Sequence, residues 1–101
     1  MTFRNQNRQV EVCGIVMTAP VKKQGKGGEP LLHVELKTSG ENGDEDQRWR
    51  LIFRGFLVEK AEKTVLPGGF LQVLGVLAEN AYTDGYGMRA RRKEIRVIDF
   101  S

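Results

Sequence analysis

Residues 48–69 read RWRLIFRGFLVEKAEKTVLPGG and change their hydrophobic period halfway along. In the first part apolar and basic residues alternate, which predicts a strand over 48–54 with Trp49, Leu51 and Phe53 on its core face. Over 56–65 the apolar residues are spaced as on a helix, and the Pro-Gly-Gly that follows ends it. A strand that leads directly into a short amphipathic helix is therefore the centre of the predicted architecture.

Four more segments keep the period of two that is typical of strands. They are residues 10–16, 32–38, 70–79 and 88–99. In the segment 32–38 the alternation is clean, and it predicts that Leu32, Val34 and Leu36 face a core while the residues between them face solvent.

The segments between these strands have the composition of loops. The basic, glycine-rich stretch 18–30 is predicted to be an exposed loop, and the acidic stretch 39–46 a hairpin loop. Asp84-Gly85 indicates a tight turn in the last hairpin.

The resulting order of three strands, a helix and two strands is that of the OB-fold, a five-stranded Greek-key barrel. The chain is thus predicted to be all-β with one short helix. An SH3-like barrel is the nearest alternative, but it would not usually carry an amphipathic helix at this position. The length of 101 residues suits one such domain over 1–101, with 1–8 as a flexible N-terminus.

Composition excludes several classes of protein. The chain contains one cysteine, Cys13, and one histidine, His33, which are too few for an intrachain disulfide or a typical zinc site. It has neither a membrane span nor a signal peptide, so we expect a cytoplasmic protein. It also lacks the motifs of nucleotide, hydrolase and metalloprotease sites. We therefore expect no catalytic residues, no metal and no cofactor, and a protein that is not an enzyme.

The charge is distributed unevenly along the chain. Lys and Arg number 16 against 13 Asp and Glu, and four of the acids lie together in 39–46. The rest of the chain carries a marked basic excess, which is typical of a protein that binds a polyanion. The candidates for neutralising phosphates are Lys22, Lys23, Arg48, Arg50, Arg54, Arg89, Arg91 and Arg92.

Aromatic side chains are candidates for stacking on bases, a contact worth about 1–3 kcal/mol per base. Tyr82 and Tyr86 lie at the last predicted turn, where little core is available to bury them. Trp49 has two interpretations: it packs in the core or in a subunit interface, or it stacks on a base after a slip of one residue in strand register. Phe56 and Phe70, at either end of the helical segment, are predicted to pack.

The order and spacing of these segments resemble the bacterial single-stranded DNA-binding proteins, together with their relative in replication restart, the primosomal replication protein N. The resemblance covers most of the chain. It lies in Val10-x-Val12-x-Gly14, Ala19-Pro20-Val21, Leu32-x-Val34-x-Leu36, Arg50-Leu51-Ile52-Phe53-x-Gly55, Val73-x-Gly75-x-Leu77 and Tyr82-Thr83-Asp84-x-x-Gly87. In this alignment Tyr82 falls on a stacking position of the family. Asn42, Arg48 and Arg54 fall on three others, which favours guanidinium stacking as the alternative to aromatic stacking there.

The resemblance implies a protein that binds single-stranded DNA without sequence specificity, in replication, replication restart or recombination. It would be a short member, without the family's acidic C-terminal tail, and associated with the nucleoid. Two alternatives stay open: a primosome adaptor that acts mainly through protein contacts, and a single-stranded RNA-binding module. The implied partners are single-stranded nucleic acid, a replication-restart helicase or another replication protein, and further copies of the chain in a homodimer or homotetramer, with the first strand as the candidate interface.

Overall fold

The computed structural model describes residues 8–40, 45–83 and 85–101. Three parts of the chain lie outside the described residues. They are 1–7 of the predicted flexible N-terminus, 41–44 of the predicted acidic hairpin loop, and Asp84 of the last predicted turn. The described elements are β1 (Arg8–Val16), β2 (Val21–Gln24), β3 (Pro30–Thr38), β4 (Gln47–Arg54), α1 (Phe56–Thr64), β5 (Phe70–Thr83) and β6 (Arg89–Phe100). All five predicted strands and the helix are present.

The strands close into a barrel. Their order in the sheet is β1-β5-β6-β4-β3-β2, and the end of β1 also pairs with β3, where Ile15 lies opposite Lys37 and Val16 opposite Leu36. This last pairing joins β1, β3, β4, β6 and β5 into a ring. The β4–β6 pair is parallel and the other pairs are antiparallel. The predicted OB-fold is thereby confirmed.

Two glycines stand where backbones approach closely. At Gly14 a Cβ would meet the carbonyl oxygen of Lys37, at the point where β1 leaves β5 and begins to pair with β3. Gly75 lies at a register shift between β5 and β6, and a Cβ there would come within 2.5 Å of the Arg96 carbonyl oxygen. These positions let the strands bend into a closed barrel.

The core fills the barrel and is covered at one end by α1. Alternate residues of β3 and β4 point inward, and Leu36, Leu51 and Phe53 are fully buried. The helix contributes the buried residues Leu57, Val58 and Ala61. The ring of Phe100, at the end of β6, packs edge-on against Phe53 with centroids 5.0 Å apart. The predicted inward face of β3 (Leu32, Val34 and Leu36) is confirmed.

Two expectations about local structure were wrong. The stretch 18–30 is not a continuous loop, because Val21–Gln24 form the short strand β2, which pairs with β3 and adds a sixth strand. Its glycine-rich part is the turn between β2 and β3, where Gly28 has a φ of 84°. Phe56 and Phe70 do not pack in the core, since they are 85% and 66% exposed.

In residues 8–40, 45–83 and 85–101 the helical structure is too short and too polar to cross a bilayer. The parallel β4–β6 pair places residues from distant parts of the chain side by side on the barrel surface.

Candidate nucleic-acid interface

Four adjacent strands, β2, β3, β4 and β6, carry charged residues on the outside of the barrel. Residues directly opposite each other in neighbouring strands share a face. The pairing therefore groups the side chains that point away from the core on β2, β3, β4 and β6, here called the outer face. It is formed by Val21, Lys23, Leu31, His33, Glu35, Lys37, Arg48, Arg50, Ile52, Arg54, Glu94 and Arg96.

The outer face is organised in rows that cross the strands. One row places Glu35, Arg50 and Glu94 side by side on β3, β4 and β6. The next row along contains Val21, His33, Ile52 and Arg96, and the following one contains Lys23, Leu31 and Arg54. The first row is called below the central row, and the last two together the cationic margin.

Arg50, in the central row, and Arg48, in the row beside it, each form an ion pair with a carboxylate. Arg48 Nη1 lies 3.2 Å from Glu35 Oε1, and Arg50 Nη1 lies 3.9 Å from Glu94 Oε2. The Glu94 side chain is only 11% exposed and that of Arg50 32% exposed, whereas Arg48 is 64% exposed. Arg50 is thus the most confined of the predicted basic residues on this face.

The cationic margin is different, because its charges point into solvent. Lys23, Arg54 and Arg96 are exposed. Among the side chains that the structure describes, none of the three is in an ion pair with a carboxylate. Ile52 lies between them and is 9% exposed. The margin therefore offers three accessible positive charges.

A shallow cleft of about 200 Å³ runs along the junction of β2 with β3 and β4. It is lined by Thr18, Val21, Lys23, His33, Val34, Glu35 and Arg50. Its basic residues come from the cationic margin and from the central row, so the cleft connects the two. Such a surface groove with basic walls suits a flexible polyanionic strand.

The two predicted lysines of β2 lie on opposite sides of the strand. Lys23 belongs to the outer face, opposite Leu31. Lys22 lies opposite the buried Leu32, and its Nζ is 3.2 Å from Glu62 Oε2 on α1. The structure therefore places Lys23 with the arginines and Lys22 against the helix.

Trp49 lies on the core side of β4, as the alternation predicts. It stands opposite Leu36 in a regular register, without the one-residue slip that would turn it outward. It is partly buried against the core, its Nε1 donates a hydrogen bond to Thr38 Oγ1 at 3.0 Å, and Lys93 Nζ lies 5.3 Å from the ring centroid. The structure does not bring Trp49 together with Arg48 and Arg50.

The remaining predicted residues belong to the β5–β6 hairpin. In the backbone pairing, Tyr82 lies opposite Ala90, Arg91 opposite Ala81 and Arg92 opposite Asn80, while Arg89 pairs with Thr83. The side chains at 79–83 and 89–92 lie outside the described structure. Tyr86, in the turn, is 92% exposed.

Glu94, Arg96 and His33 were not among the residues predicted from sequence for this face. The sequence does indicate that Glu94 and Arg96 point outward, because they alternate with the buried residues Ile95 and Val97. Their position beside Arg50 and Ile52 has no signal in the sequence, since it depends on the parallel β4–β6 pairing.

Within the described residues, no group of three or more His, Cys, Asp or Glu side chains could hold a metal ion. The outer face carries ion pairs, exposed guanidinium groups and the lysines Lys23 and Lys37. Guanidinium and ammonium groups bind anions, and guanidinium planes also stack on planar rings.

Comparison with known proteins identifies relatives by fold. The sequence matches no protein-family model and no curated protein. The structure is similar to the small single-stranded DNA-binding protein of Streptomyces coelicolor, with a TM-score of 0.83 and 16% identity over 96% of this chain and 94% of that one. For the second single-stranded DNA-binding protein of Mycobacterium smegmatis the TM-score is 0.71 and the identity 19%, over 94% of this chain and 87% of that one.

A third similar structure is that of the Plasmodium falciparum single-stranded DNA-binding protein in complex with single-stranded DNA. Its TM-score is 0.75 and its identity 18%, and the match covers all of this chain (100%) and 96% of that one. At these identities the likeness concerns the backbone. The chain therefore has the OB-fold of the single-stranded DNA-binding proteins over nearly its whole length.

Proposed function

We propose that this protein binds single-stranded DNA without reading its sequence, and that it catalyses no reaction. The observation that carries the proposal is the outer face, where Lys23, Arg48, Arg50 and Arg54 lie together beside an open cleft. The fold, shared with structures of single-stranded DNA-binding proteins, supports the same function.

The physical basis of this binding is the release of counterions from the phosphates. Each phosphate that a Lys or Arg neutralises adds about 0.7 to the slope of log affinity against log salt for a single strand. Side chains that stack on bases add affinity without adding to this slope. Sequence independence follows because the phosphates and the flat faces of the bases are common to all sequences.

Fluorescence anisotropy with labelled oligo-dT and a mixed-sequence oligonucleotide of the same length tests the proposal. We expect similar affinities for both, falling steeply as salt increases. The variant Lys23→Gln/Arg54→Gln should bind more weakly with a smaller slope, whereas Lys63→Gln, on the exposed side of α1, should bind as the wild type does. Absence of binding at low salt would overturn the proposed function. Tighter binding of a matched RNA oligonucleotide would identify an RNA-binding module instead.

We also propose that the protein forms a homodimer or homotetramer through β1. This strand pairs with β5 from Arg8 to Ile15, but it pairs with β3 only at Ile15 and Val16. Along most of β1 the second edge has no partner strand in the described part of the chain, and an open edge readily pairs with another copy. Mass determination in solution, with and without oligo-dT, checks this, and a monomer in both conditions would contradict it.

A role as an adaptor for a replication-restart helicase or another replication protein is the second candidate function. It is favoured by Ile15 and Phe70, which lie opposite each other in β1 and β5 and are 39% and 66% exposed. Capture of a helicase that persists in Arg48→Glu/Arg50→Glu and disappears in Phe70→Ser would support it. Capture lost in the arginine variant alone would indicate a contact through DNA.

A further inference from the structure

We propose that the outer face separates two kinds of contact: Arg50, held by Glu94, stacks its guanidinium plane on a base, while Lys23, Arg54 and Arg96 neutralise phosphates. This inference rests on the proposed function and assigns the individual contacts within it. Glu94 is a positioning residue in this arrangement.

At the central row and beside it, positive and negative charges balance. Two guanidinium groups, of Arg48 and Arg50, lie beside two carboxylates, of Glu35 and Glu94. These four charges cancel locally, so a phosphate placed there gains little net attraction. A phosphate close to Arg50 would also lie close to both carboxylates, which flank Arg50 in the same row. The central row is therefore a poor phosphate site, although it contains Arg50 and lies beside Arg48.

The ion pair with Glu94 confines the side chain of Arg50. Its partner Glu94 is nearly buried in the sheet, and the ion pair runs through Nη1, which is an edge atom of the guanidinium. A guanidinium bound at its edge keeps its flat faces for contact with a ring. The side chain is still 32% exposed and lines the cleft. Arg50 is thus held in place while remaining accessible, which reduces the entropy that it would lose on stacking.

Among the described residues of the outer face, no phenyl, phenol or indole ring competes with Arg50. Trp49 is on the core side of β4, where Thr38 and Lys93 contact it. None of the residues that form the outer face is aromatic, apart from the imidazole of His33. Arg50 is therefore the planar group best placed to receive a base between the phosphate contacts of the cationic margin.

A charge-conserving substitution separates the two roles. Arg50→Lys keeps the positive charge but removes the planar group. On oligo-dT we expect about two- to fivefold weaker binding, which corresponds to a cation–π contact of about 0.5–1 kcal/mol. The salt slope should not change. On an abasic oligonucleotide of the same length, made of tetrahydrofuran units, Arg50→Lys should bind as the wild type does.

Arg54→Lys is the matched control, because Arg54 lies on the same strand and face in the cationic margin. It should bind both oligonucleotides within about twofold of the wild type, whereas Arg54→Gln should lower the salt slope by about 0.7. If Arg50→Lys behaves like Arg54→Lys, and Arg50→Gln lowers the slope as Arg54→Gln does, Arg50 is a phosphate contact and the inference is wrong. The proposed function would stand in that case, since wild-type binding to oligo-dT tests it separately.

Glu94→Gln tests the positioning role. Removal of the carboxylate charge frees Arg50 to reach phosphates, so affinity for the abasic oligonucleotide should rise and the preference for oligo-dT over it should fall by about two- to fivefold. A purely structural role would weaken binding to both oligonucleotides equally, and that result would overturn the role assigned to Glu94. Circular dichroism checks that the variant is folded; should it not fold, the comparison of Arg50→Lys with Arg54→Lys decides the inference.

Discussion

Trp49 and Thr38 are joined across β3 and β4 by a hydrogen bond of 3.0 Å, in which the indole N–H donates to the threonine hydroxyl. The bond lies on the core side of the sheet, while Arg48 and Arg50, on either side of Trp49 in sequence, point outward. The indole therefore lies on the core side of the barrel and not on the outer face.

Substitution of Trp49 should affect stability more than DNA binding. Trp49→Phe removes the N–H donor, and we expect the free energy of unfolding to fall by about 0.5–1.5 kcal/mol from the lost hydrogen bond. Affinity for oligo-dT should stay within twofold. Since Trp49 is the single tryptophan of the chain, the intrinsic tryptophan fluorescence reports directly on its surroundings. Saturating oligo-dT should quench this fluorescence only weakly. Strong quenching together with a large loss of affinity in Trp49→Phe would show that it stacks on bases.

The two lysines of β2 provide a matched pair. Lys23→Gln should reduce the slope of log affinity against log salt by about 0.7, because Lys23 lies in the cationic margin. Lys22→Gln should leave the slope unchanged, because Lys22 is paired with Glu62 on α1. An equal effect of both substitutions, measured by anisotropy at several salt concentrations, would mean that the strand of DNA contacts both sides of β2.

Gly75 should tolerate no side chain. In Gly75→Ala the new Cβ would lie 2.5 Å from both the Arg96 carbonyl oxygen and Ile95 Cγ2. Crowding of this kind costs about 1–3 kcal/mol, so urea denaturation should show a lower midpoint with an unchanged m-value. Gly85→Ala is the control, since a Cβ there meets nothing within 4 Å, and its midpoint should match that of the wild type. Equal midpoints for the two variants would contradict the close approach at Gly75.

Phe100 should contribute strongly to stability although it is the penultimate residue. It is 5% exposed, packs against Phe53, and has Lys60 Nζ at 4.7 Å from its ring centroid. Phe100→Ala should lower the free energy of unfolding by about 3–5 kcal/mol. Phe56→Ala, at an exposed position, should change it by no more than about 0.5 kcal/mol. A small effect of Phe100→Ala in chemical denaturation would show that the end of β6 is not part of the cooperative core.

Much of the fold follows from local pattern. The alternation in Leu32, Val34 and Leu36 and the helical spacing of Leu57, Val58 and Ala61 each require one buried face, so the sequence indicates both the element and its orientation. The same alternation placed Trp49 correctly on the core side of β4.

What the sequence did not indicate depends on partners distant along the chain. The strand β2 is exposed at all four of its residues, so no hydrophobic pattern marks it, and it exists through its pairing with β3. Phe56 and Phe70 were expected to pack because aromatic residues usually do, but both lie where the barrel surface offers them little cover. The ion pair between Arg50 and Glu94 could not be predicted, because the parallel pairing of β4 with β6 brings the two residues together.

The parallel pairing of β4 with β6 makes binding depend on contacts between segments that are distant along the chain. Arg50 and Glu94 lie side by side only when β4 and β6 are paired, so the central row exists only in the folded barrel. A ligand that needs this row binds the folded barrel and not the unfolded chain. It must therefore stabilise the folded state by an amount that grows with the logarithm of its concentration once that concentration exceeds Kd. Oligo-dT should accordingly raise the melting temperature of the wild type, and the β4–β6 seam should be the place where amide hydrogen exchange slows most when the ligand is added.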